Sequence, residues 1–460
     1  VQTCALPIFM LKLLLISLIA VLLFVWNANT VAAGSLDCTM CGLALNELEG
    51  MLNEGKTQAE LEKVLKDDIC PKLDPKDRSK CTFIIAMLPS IIKAFENKEE
   101  PGAVCEKLGY CNYDPPKEPS ISPMSSFTLN LDLPPEQRWV ALWGNPVYKD
   151  IVDGLVNGIE KTMGTDLHTI NNIGNYVLDH FPKEYQQEII GGAKALNVGS
   201  GVMTFMNLAY ELSDACTSIV AQDTAGNILH ARNLDFGFAM DFTADLRNLS
   251  VMIDVVQNGK TVFKGVSFIG YIGFLTGTKP GAFSVTINTR FIPGGVKNMI
   301  EILIEAITVK GAQLDSWLTR QTLMEATNFA TAYKDFTTKP ILADVYYTLA
   351  GVAPGEGVVI TRNQSQAVFE WKLDAPNTWF VFETNYDHWK KAPWFDDRRF
   401  YANKTMLALG QAGVTLPKIL SDVLSVKPVL NQLTTYSALI NNKAKYFEAY
   451  RRYCNAPCPI

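Results

Sequence analysis

Apolar positions recur at helical spacing through the early part of the chain. Leu43, Leu48, Met51 and Leu52 form one stripe, and Leu61, Val64 and Leu65 a second. Phe83, Ile84, Met87, Ile91, Ile92 and Phe95 form a third. The pattern predicts amphipathic helices between residues 36 and 112. Helical spacing returns at Ile151, Leu155, Val156 and Ile159, and again at Val202, Phe205 and Met206. Residues 146–212 are therefore predicted mostly helical. From residue 216 the period changes to two. Strands are predicted over 216–221, 228–233, 251–256, 262–268, 283–291, 345–349, 358–361, 367–373 and 379–384. A turn containing Gly226 joins the first two, and Asn258-Gly259 is a hairpin signal. Helices are expected over 297–335 and 403–425. Hairpins rather than regular βαβ units make this a mixed α+β pattern.

Residues 13–26 are almost wholly apolar, but a membrane-spanning helix needs about 20 residues. The stretch suits a signal-peptide core, with Lys12 before it and small residues after it. Val31 and Ala33 place the expected cleavage near Ala33–Gly34. Met10 is the expected start, which makes residues 1–9 an upstream translation artefact. The alternative reading is an uncleaved membrane anchor. Sequons at Asn248, Asn363 and Asn403 fit a secretory route, ending in the lysosome or outside the cell. Residues 113–125 are Pro/Ser-rich and poor in apolar residues, as an extended, semi-rigid linker would be.

Composition narrows the class. The chain has 460 residues, 48% hydrophobic and 19% charged, with a formal net charge of -6. This excludes a disordered chain, a collagen-like repeat and a basic nucleic-acid binder, so no nucleic-acid partner is expected. The length suggests two to three domains.

Cysteine usage says more. Cys4 falls in the expected leader, which leaves nine of the ten cysteines. Six cluster together: Cys38, Cys41, Cys70, Cys81, Cys105 and Cys111. Cys454 and Cys458 sit four apart at the C-terminal end, and Cys216 is left over. Six cysteines allow about 15 pairings, and spacing alone does not choose among them. Their arrangement (Cys-x2-Cys, Cys-x10-Cys, Cys-x5-Cys among amphipathic helices) resembles the saposin B-type domain over residues 36–112. The resemblance implies Cys38–Cys111, Cys41–Cys105 and Cys70–Cys81, in a helical clasp that binds lipid or perturbs membranes. A stapled bundle with no lipid role is the alternative. A zinc site is disfavoured because the segment has no histidine. Cys454 and Cys458 are expected to pair locally.

An odd cysteine in an oxidising compartment is an intermolecular bridge, a buried inert thiol or a used one. Competing chemistry is sparse. None of the four histidines, His168, His180, His230 and His388, forms a His-x-x-x-His pair. There is no Gly-x-Ser-x-Gly elbow and no phosphate-cradling loop. No metal or cofactor is implied. A hydrolytic nucleophile here must find a base other than a nearby histidine.

Cys-Thr-Ser-Ile-Val-Ala-Gln-Asp at 216–223, followed by His-Ala-Arg-Asn-Leu-Asp-Phe-Gly at 230–237, resembles the acid ceramidase and N-acylethanolamine-hydrolysing acid amidase family. Gly-Ala-Phe-Ser-Val-Thr-Ile-Asn-Thr-Arg at 281–290, Thr-Asn-Tyr-Asp at 384–387 and Asp-Asp-Arg-Arg at 396–399 match as well. The tail at 427–436, with Cys454 and Cys458, looks closer to the ceramidase branch. The resemblance implies an α+β protein: an N-terminal saposin-like domain (34–112) followed by an N-terminal-nucleophile αββα sandwich. It further implies self-cleavage between Ala215 and Cys216, giving an α chain (126–215) and a β chain (216–460) that stay partners. Cys216 would be the nucleophile, with its freed α-amine as base. Asp235 would orient or accept from that amine, Arg232 and Arg398 would support the site, and Asn385 would donate to the oxyanion. The substrate would be a membrane lipid amide, ceramide or an N-acylethanolamine. Two departures stand out. Thr289 sits where the family often has an acidic residue, and Thr405 sits at the expected position of an interchain cysteine. The rival from another class is a lipid-transfer protein with an inert amidase-like domain.

Residues 36–112 carry 10 Lys/Arg and 14 Asp/Glu, so this segment is acidic. Its carboxylates begin to protonate near pH ~4, which lowers repulsion from an acidic membrane surface. Flotation with anionic liposomes should therefore be stronger at pH 4.5 than at pH 7.5. Equal flotation at the two pH values would count against this expectation.

Overall fold

The computed structural model describes residues 33–72, 78–97, 99, 101–109, 111, 119–163, 165–209, 214–236, 242–290, 313–393, 396–455 and 458. They fall into two compact units, Val1–Asn112 and Tyr113–Ile460. The apolar stretch at 13–26 and the start at Met10 lie outside the described residues. Among those described, no helix is long and apolar enough to cross a membrane.

The first unit is helical: α1 (Ala33–Asn53), α2 (Gln58–Lys63), α3 (Arg78–Glu96) and α4 (Pro101–Lys107). Thr57 starts α2 with a capping box, because its hydroxyl accepts from Glu60 N while the Glu60 carboxylate accepts from Thr57 N at 2.8 Å. Leu48, Leu61, Leu65 and Ile91 are buried, so each predicted stripe contributes to the core, and Leu45 and Leu88, outside the stripes, join them. The Cys41–Cys105 disulfide ties α1 to the C-terminal part of this unit. Cys70 and Cys111 are also disulfide-bonded. The side chains of Cys38 and Cys81 lie outside the described residues.

The second unit opens with β1 (Ile121–Pro123) and β2 (Ser126–Asn130). Five helices follow: α5 (Val140–Trp143), α6 (Lys149–Met163), α7 (Leu167–Leu178), α8 (Lys183–Leu196) and α9 (Ser200–Ala209). Next come β3 (Asp214–Gln222), β4 (Ile228–Phe236), α10 (Phe242–Leu249), β5 (Ser250–Gln257), β6 (Lys260–Phe268), β7 (Thr276–Lys279) and β8 (Phe283–Thr289). After residue 312 the order is α11 (Asp315–Glu325), α12 (Phe329–Thr338), β9 (Val345–Ala350), β10 (Gly357–Arg362), β11 (Ala367–Lys372) and β12 (Phe380–Glu383). The unit ends with α13 (Arg398–Gly413), α14 (Leu416–Asp422), β13 (Thr434–Asn441) and β14 (Tyr446–Arg452).

The strands form a six-stranded sheet, β1-β14-β13-β4-β3-β12, and an eight-stranded sheet, β11-β10-β9-β8-β7-β6-β5-β2. The sheets pack face to face, with β3 against β8 and β9. α13 and α14 cover the outer face of the first sheet, and α11 and α12 the outer face of the second. This α+β layering explains why all nine residues of β4 are buried. Alternation then sorts side chains by face. Ile219, Ala221, Leu229 and Ala231 pack with Tyr401, Met406 and Ile419 under the helices. Cys216 and Leu234 point into the core between the sheets.

Several elements differ from the sequence expectation. β13 and β14 were not predicted: seven of the eight residues of β13 are buried, several of them Thr or Ser, so no polar–apolar alternation marks the strand. β1, β2 and β7 are short, and β7 (Thr-Gly-Thr-Lys) carries no apolar residue. Residues 297–312 of the helix expected over 297–335 lie outside the described residues. The remainder breaks in two, because the Asn328 side chain caps Thr331 N and starts α12 afresh. The helix expected over 403–425 starts earlier, at Arg398, and breaks where Thr415 caps α14. Within the expected linker, 113–118 lie outside the described residues, whereas Ile121–Pro123 pairs with β14 as a sheet edge. Pro123 is tolerated there because an edge strand leaves one side unpaired.

Candidate active site

Cys216 lies within β3, paired with Leu234 of β4, and is fully buried. It is a free cysteine, and its sulfur accepts a hydrogen bond from Arg232 Nη2. Arg232 points to the same face as Cys216 because both occupy inward positions of adjacent strands. Arg232 Nη1 donates to Leu275 O at 2.8 Å and to Thr276 Oγ1 at 3.0 Å, which fixes the plane of the guanidinium. Thr276 Oγ1 is in turn 2.8 Å from the Tyr436 hydroxyl.

The backbone of Cys216 is held from the other side. Its N–H donates to Asn385 Oδ1 at 2.8 Å, and its carbonyl accepts from Arg398 Nη1 at 2.9 Å. Arg398, at the first turn of α13, also donates to Asp235 Oδ2 at 3.0 Å and to Asn385 Oδ1 at 2.8 Å. Asp396 takes two more of its protons, at 2.8 and 2.5 Å. Asp235 sits three residues after Arg232, on the opposite face of β4. It therefore meets Arg398, Asn431 Nδ2 (3.1 Å) and Thr434 Oγ1 (2.6 Å) rather than the Cys216 sulfur.

All five residues expected from the sequence converge: Cys216, Arg232, Asp235, Asn385 and Arg398. Their contacts refine two expectations. The acceptor facing Cys216 N–H is Asn385 Oδ1, with Asp235 linked to it through Arg398. Asn385 Nδ2 donates to Thr289 O at 2.8 Å, so Thr289 enters the site through its backbone. Ala215 is paired with Asp235 in β3, while its side chain lies outside the described residues. Thr405 bonds back to Tyr401 O within its own helix. Asn248 and Asn403 are exposed and Asn363 is half-buried. The Cys454–Cys458 disulfide is formed.

Sequence reasoning missed Asp396, Asn431 and Thr434, although all three lie inside segments that carry the family resemblance. The signal was present at Asp396, since a carboxylate two residues before an arginine at a helix start can reach back to it. Asn431 and Thr434 reach Asp235 only through the return of β13 beside β4, which no local pattern announces.

Burial shapes the charges. It pushes the Asp235 carboxyl up, against the pull of Arg398, Thr434 and Asn431, and neighbouring Asp396 adds to the rise. Asp235 shares the Arg398 guanidinium with Asp396, so its own charge is only partly compensated. Burial works against the charge of Arg398, but Asp396 and Asp235 outweigh it and hold the guanidinium ionised. Burial also pushes Glu383 up, with His388 Nδ1 at 3.2 Å opposing. His230, buried between Ser284 Oγ (2.8 Å) and Thr286 Oγ1 (3.2 Å), is pushed down to about 3 by burial and then by Arg232. It is therefore a neutral part of the interior. Among the described residues, no group of three or more His, Cys, Asp or Glu side chains converges as a metal site would.

Residues 216–421 match the model of the linear amide C–N hydrolases, choloylglycine hydrolase family. The match begins at Cys216. The chain is thus an amidohydrolase of linear amide bonds. It is 38% identical over 370 residues to the acid ceramidase of Pan troglodytes, covering 77% of this chain and 92% of that one. It is 36% identical over 398 residues to the acid ceramidase of Bos taurus, covering 83% and 98%. The chain belongs to the acid ceramidase family. Among solved structures, a Caenorhabditis elegans N-acylethanolamine-hydrolyzing acid amidase ortholog aligns with 34% sequence identity and a TM-score of 0.46, covering 52% of this chain and 100% of that one.

The raised carboxyls give a stability prediction. Asp235 and Glu383 hold protons to higher pH when folded than when unfolded. Their contribution is complete below the unfolded carboxylate range, near pH ~4, and is lost as pH rises through the folded values. The melting temperature should fall between pH 4.5 and pH 7.5, and Asp235→Asn should flatten that fall. Parallel curves for the two proteins would show that Asp235 does not titrate in this way.

Proposed function

We propose that this protein hydrolyses the amide bond of ceramide, releasing a fatty acid and a sphingoid base, with Cys216 as an N-terminal nucleophile. The observation that carries the reading is the buried cysteine itself. Its sulfur is met by Arg232, and its backbone is held by Asn385 and Arg398. A guanidinium at the sulfur favours thiolate, the nucleophilic form.

The first step is self-cleavage. Cys216 Sγ attacks the Ala215 carbonyl carbon, forming a carbon–sulfur bond. The carbon–nitrogen bond to Cys216 breaks, and the thiol proton ends on the released amine. Water then hydrolyses the thioester, leaving a carboxylate on Ala215 and a free amine on Cys216. Burial of Cys216 within a paired strand supports an intramolecular reaction, because an outside protease would have to open the sheet to reach the bond.

In turnover the amine takes the thiol proton, and the sulfur attacks the substrate carbonyl carbon. The sphingoid amine leaves with that proton, and water hydrolyses the acyl thioester. A free α-amine has a reference value of ~7.7–8.0. Two nearby guanidinium groups favour its neutral form, which is the form that acts as base at acidic pH. Asn385 Oδ1 accepts from the amine, as it accepts from the amide N–H before cleavage. Turning one Nδ2 proton from Thr289 O toward the substrate would let Asn385 stabilise the oxyanion. Loss of such a donor costs roughly 2.7–4 kcal/mol of transition-state stabilisation.

Incubation of the secreted protein at pH 4.5, followed by intact mass and N-terminal sequencing, tests this. The wild type should yield a chain that begins at Cys216, whereas Cys216→Ala should remain whole and inactive. A substrate panel pairing ceramide with an N-acylethanolamine decides the head group. An uncleaved wild type with an unreactive thiol would leave a lipid-binding role instead.

We further infer that residues 34–112 form a saposin-like clasp that presents lipid to the amidase in cis. The disulfide-tied helices and the short connection support this, since a short tether gives an effective concentration of roughly millimolar. Deleting residues 34–112 should lower turnover of membrane-embedded ceramide while sparing a soluble short-chain analogue. Equal turnover of embedded substrate would end the idea.

A further inference from the structure

Asn207 lies on α9, ahead of Cys216, and is fully buried. Its amide spans the loop between β6 and β7. Nδ2 donates to Gly270 O at 3.0 Å, and Oδ1 accepts from Ile272 N at 3.0 Å. The same loop is gripped from its carbonyl side, because Arg320 Nη1 donates to Ile272 O at 3.2 Å. Arg320 is locked by two bonds to Glu188 of α8, both 2.7 Å. Burial resists the Glu188 charge, but Arg320, Trp139 and Arg138 more than offset it, so Glu188 stays ionised in mild acid. Gly270 has a φ of +86° and lies so close to α9 that a Cβ there would meet Met206 at 3.0 Å. The loop ends at Leu275, whose carbonyl fixes Arg232, and Arg232 meets the Cys216 sulfur. Arg398, with Asp235 and Asp396, lies on the other face and meets the Cys216 backbone.

We propose that Asn207 is a positioning residue, through which the segment ahead of the scissile bond sets the reactivity of Cys216. The route runs from Asn207 through Gly270 and Ile272 to Leu275 O, then to Arg232 and the sulfur. The segment before Cys216 is thus a lasting part of the active site after cleavage, held by Glu188–Arg320 and Asn207. This rests on the reading of Cys216 as the nucleophile.

The test uses the full chain after acid processing. The thiol midpoint of Cys216 is read from thiolate ultraviolet absorbance against Cys216→Ala, and kcat and KM are measured on a fluorogenic N-acyl amide. Asn207→Ala should move the midpoint up by roughly one pH unit toward the free-thiol value of about 8.5. It should lower kcat roughly tenfold or more, since displacement remote from the chemistry suffices, with KM little changed. Thr204→Val is the control: it lies on the same buried helix and its hydroxyl, among the described residues, bonds Ser200 O rather than the loop, so both readouts should stay at wild type. If Asn207→Ala does not fold, Arg320→Lys keeps the charge against Glu188 but gives up the fork reaching Ile272, and should move both readouts the same way. A wild-type midpoint and kcat in the folded variant would overturn the proposal. So would equal changes in Thr204→Val, which would mean general loosening of the helix. Full activity of residues 216–460 after the preceding piece has dissociated would overturn it too. Retained turnover by Cys216→Ala would instead sink the nucleophile reading, while the thiol midpoints would still decide the role of Asn207.

Discussion

One guanidinium joins the parts of the site. Arg398 places all five of its N–H donors on Cys216 O, Asp235, Asn385 Oδ1 and Asp396. These acceptors belong to β3, β4, the segment after β12, and the approach to α13. A buried cation is tolerated only when its protons are satisfied and its charge is met, and both conditions hold here. The fork geometry matters as much as the charge. A lysine could meet one carboxylate, but it could not reach a carbonyl, an amide oxygen and two carboxylates together. The strand positions around Cys216 are therefore fixed by a residue 182 positions away in the chain.

The two faces of β3 and β4 divide the work. Inward positions carry Cys216, Ser218, His230 and Arg232, and they meet the second sheet through polar side chains. Ser218 Oγ is 2.7 Å from Asn288 Oδ1 and 2.8 Å from Thr286 Oγ1. Outward positions carry Asp235 and Asn233 and meet the helices and the β13 return, with Asn233 Nδ2 on Leu424 O and Val429 O. An interior this polar between two sheets costs stability unless its donors find acceptors. The reward is definition, because a slip of one residue in β3 would exchange the sulfur for the hydroxyl of Thr217 at the Arg232 position.

The switch from helical to period-two patterning near residue 216 located the β3–β4 hairpin, though not β1 and β2 ahead of it, and the helices over 146–212 were legible from their spacing. Strands buried on both faces were harder. β13 reads as polar because its Thr and Ser side chains face interior partners rather than water. Within the site, the five residues carried by family resemblance converge in space, but composition could not say which face each would occupy. Strand alternation does say it, once Cys216 and Leu234 are known to pair: Arg232 shares their face and Asp235 does not. The supports from Asn431, Thr434 and Asn207 depend on chain returns and loop docking, for which the sequence holds no local signal.

The proposed cleavage would place its scissile bond inside a strand, and the geometry of the site allows this. Asp214 and Ala215 continue the ladder of β3 with Phe236 and Asp235, so cleavage after Ala215 would free only the end of the strand. Cys216 through Gln222 would keep seven residues of pairing with β4 on one side, and Ser218 through Ala221 would keep β12 on the other. Arg232, Asn385 and Arg398 are positioned by groups outside the two departing residues. A site cleaved in this way would be assembled before it is opened, and little reorganisation would remain when the substrate amide takes the place of the peptide. The same preorganisation would require that the helices before the proposed cut stay in place. The loop that aims Arg232 is held by two of them, α8 through the Glu188–Arg320 pair and α9 through Asn207.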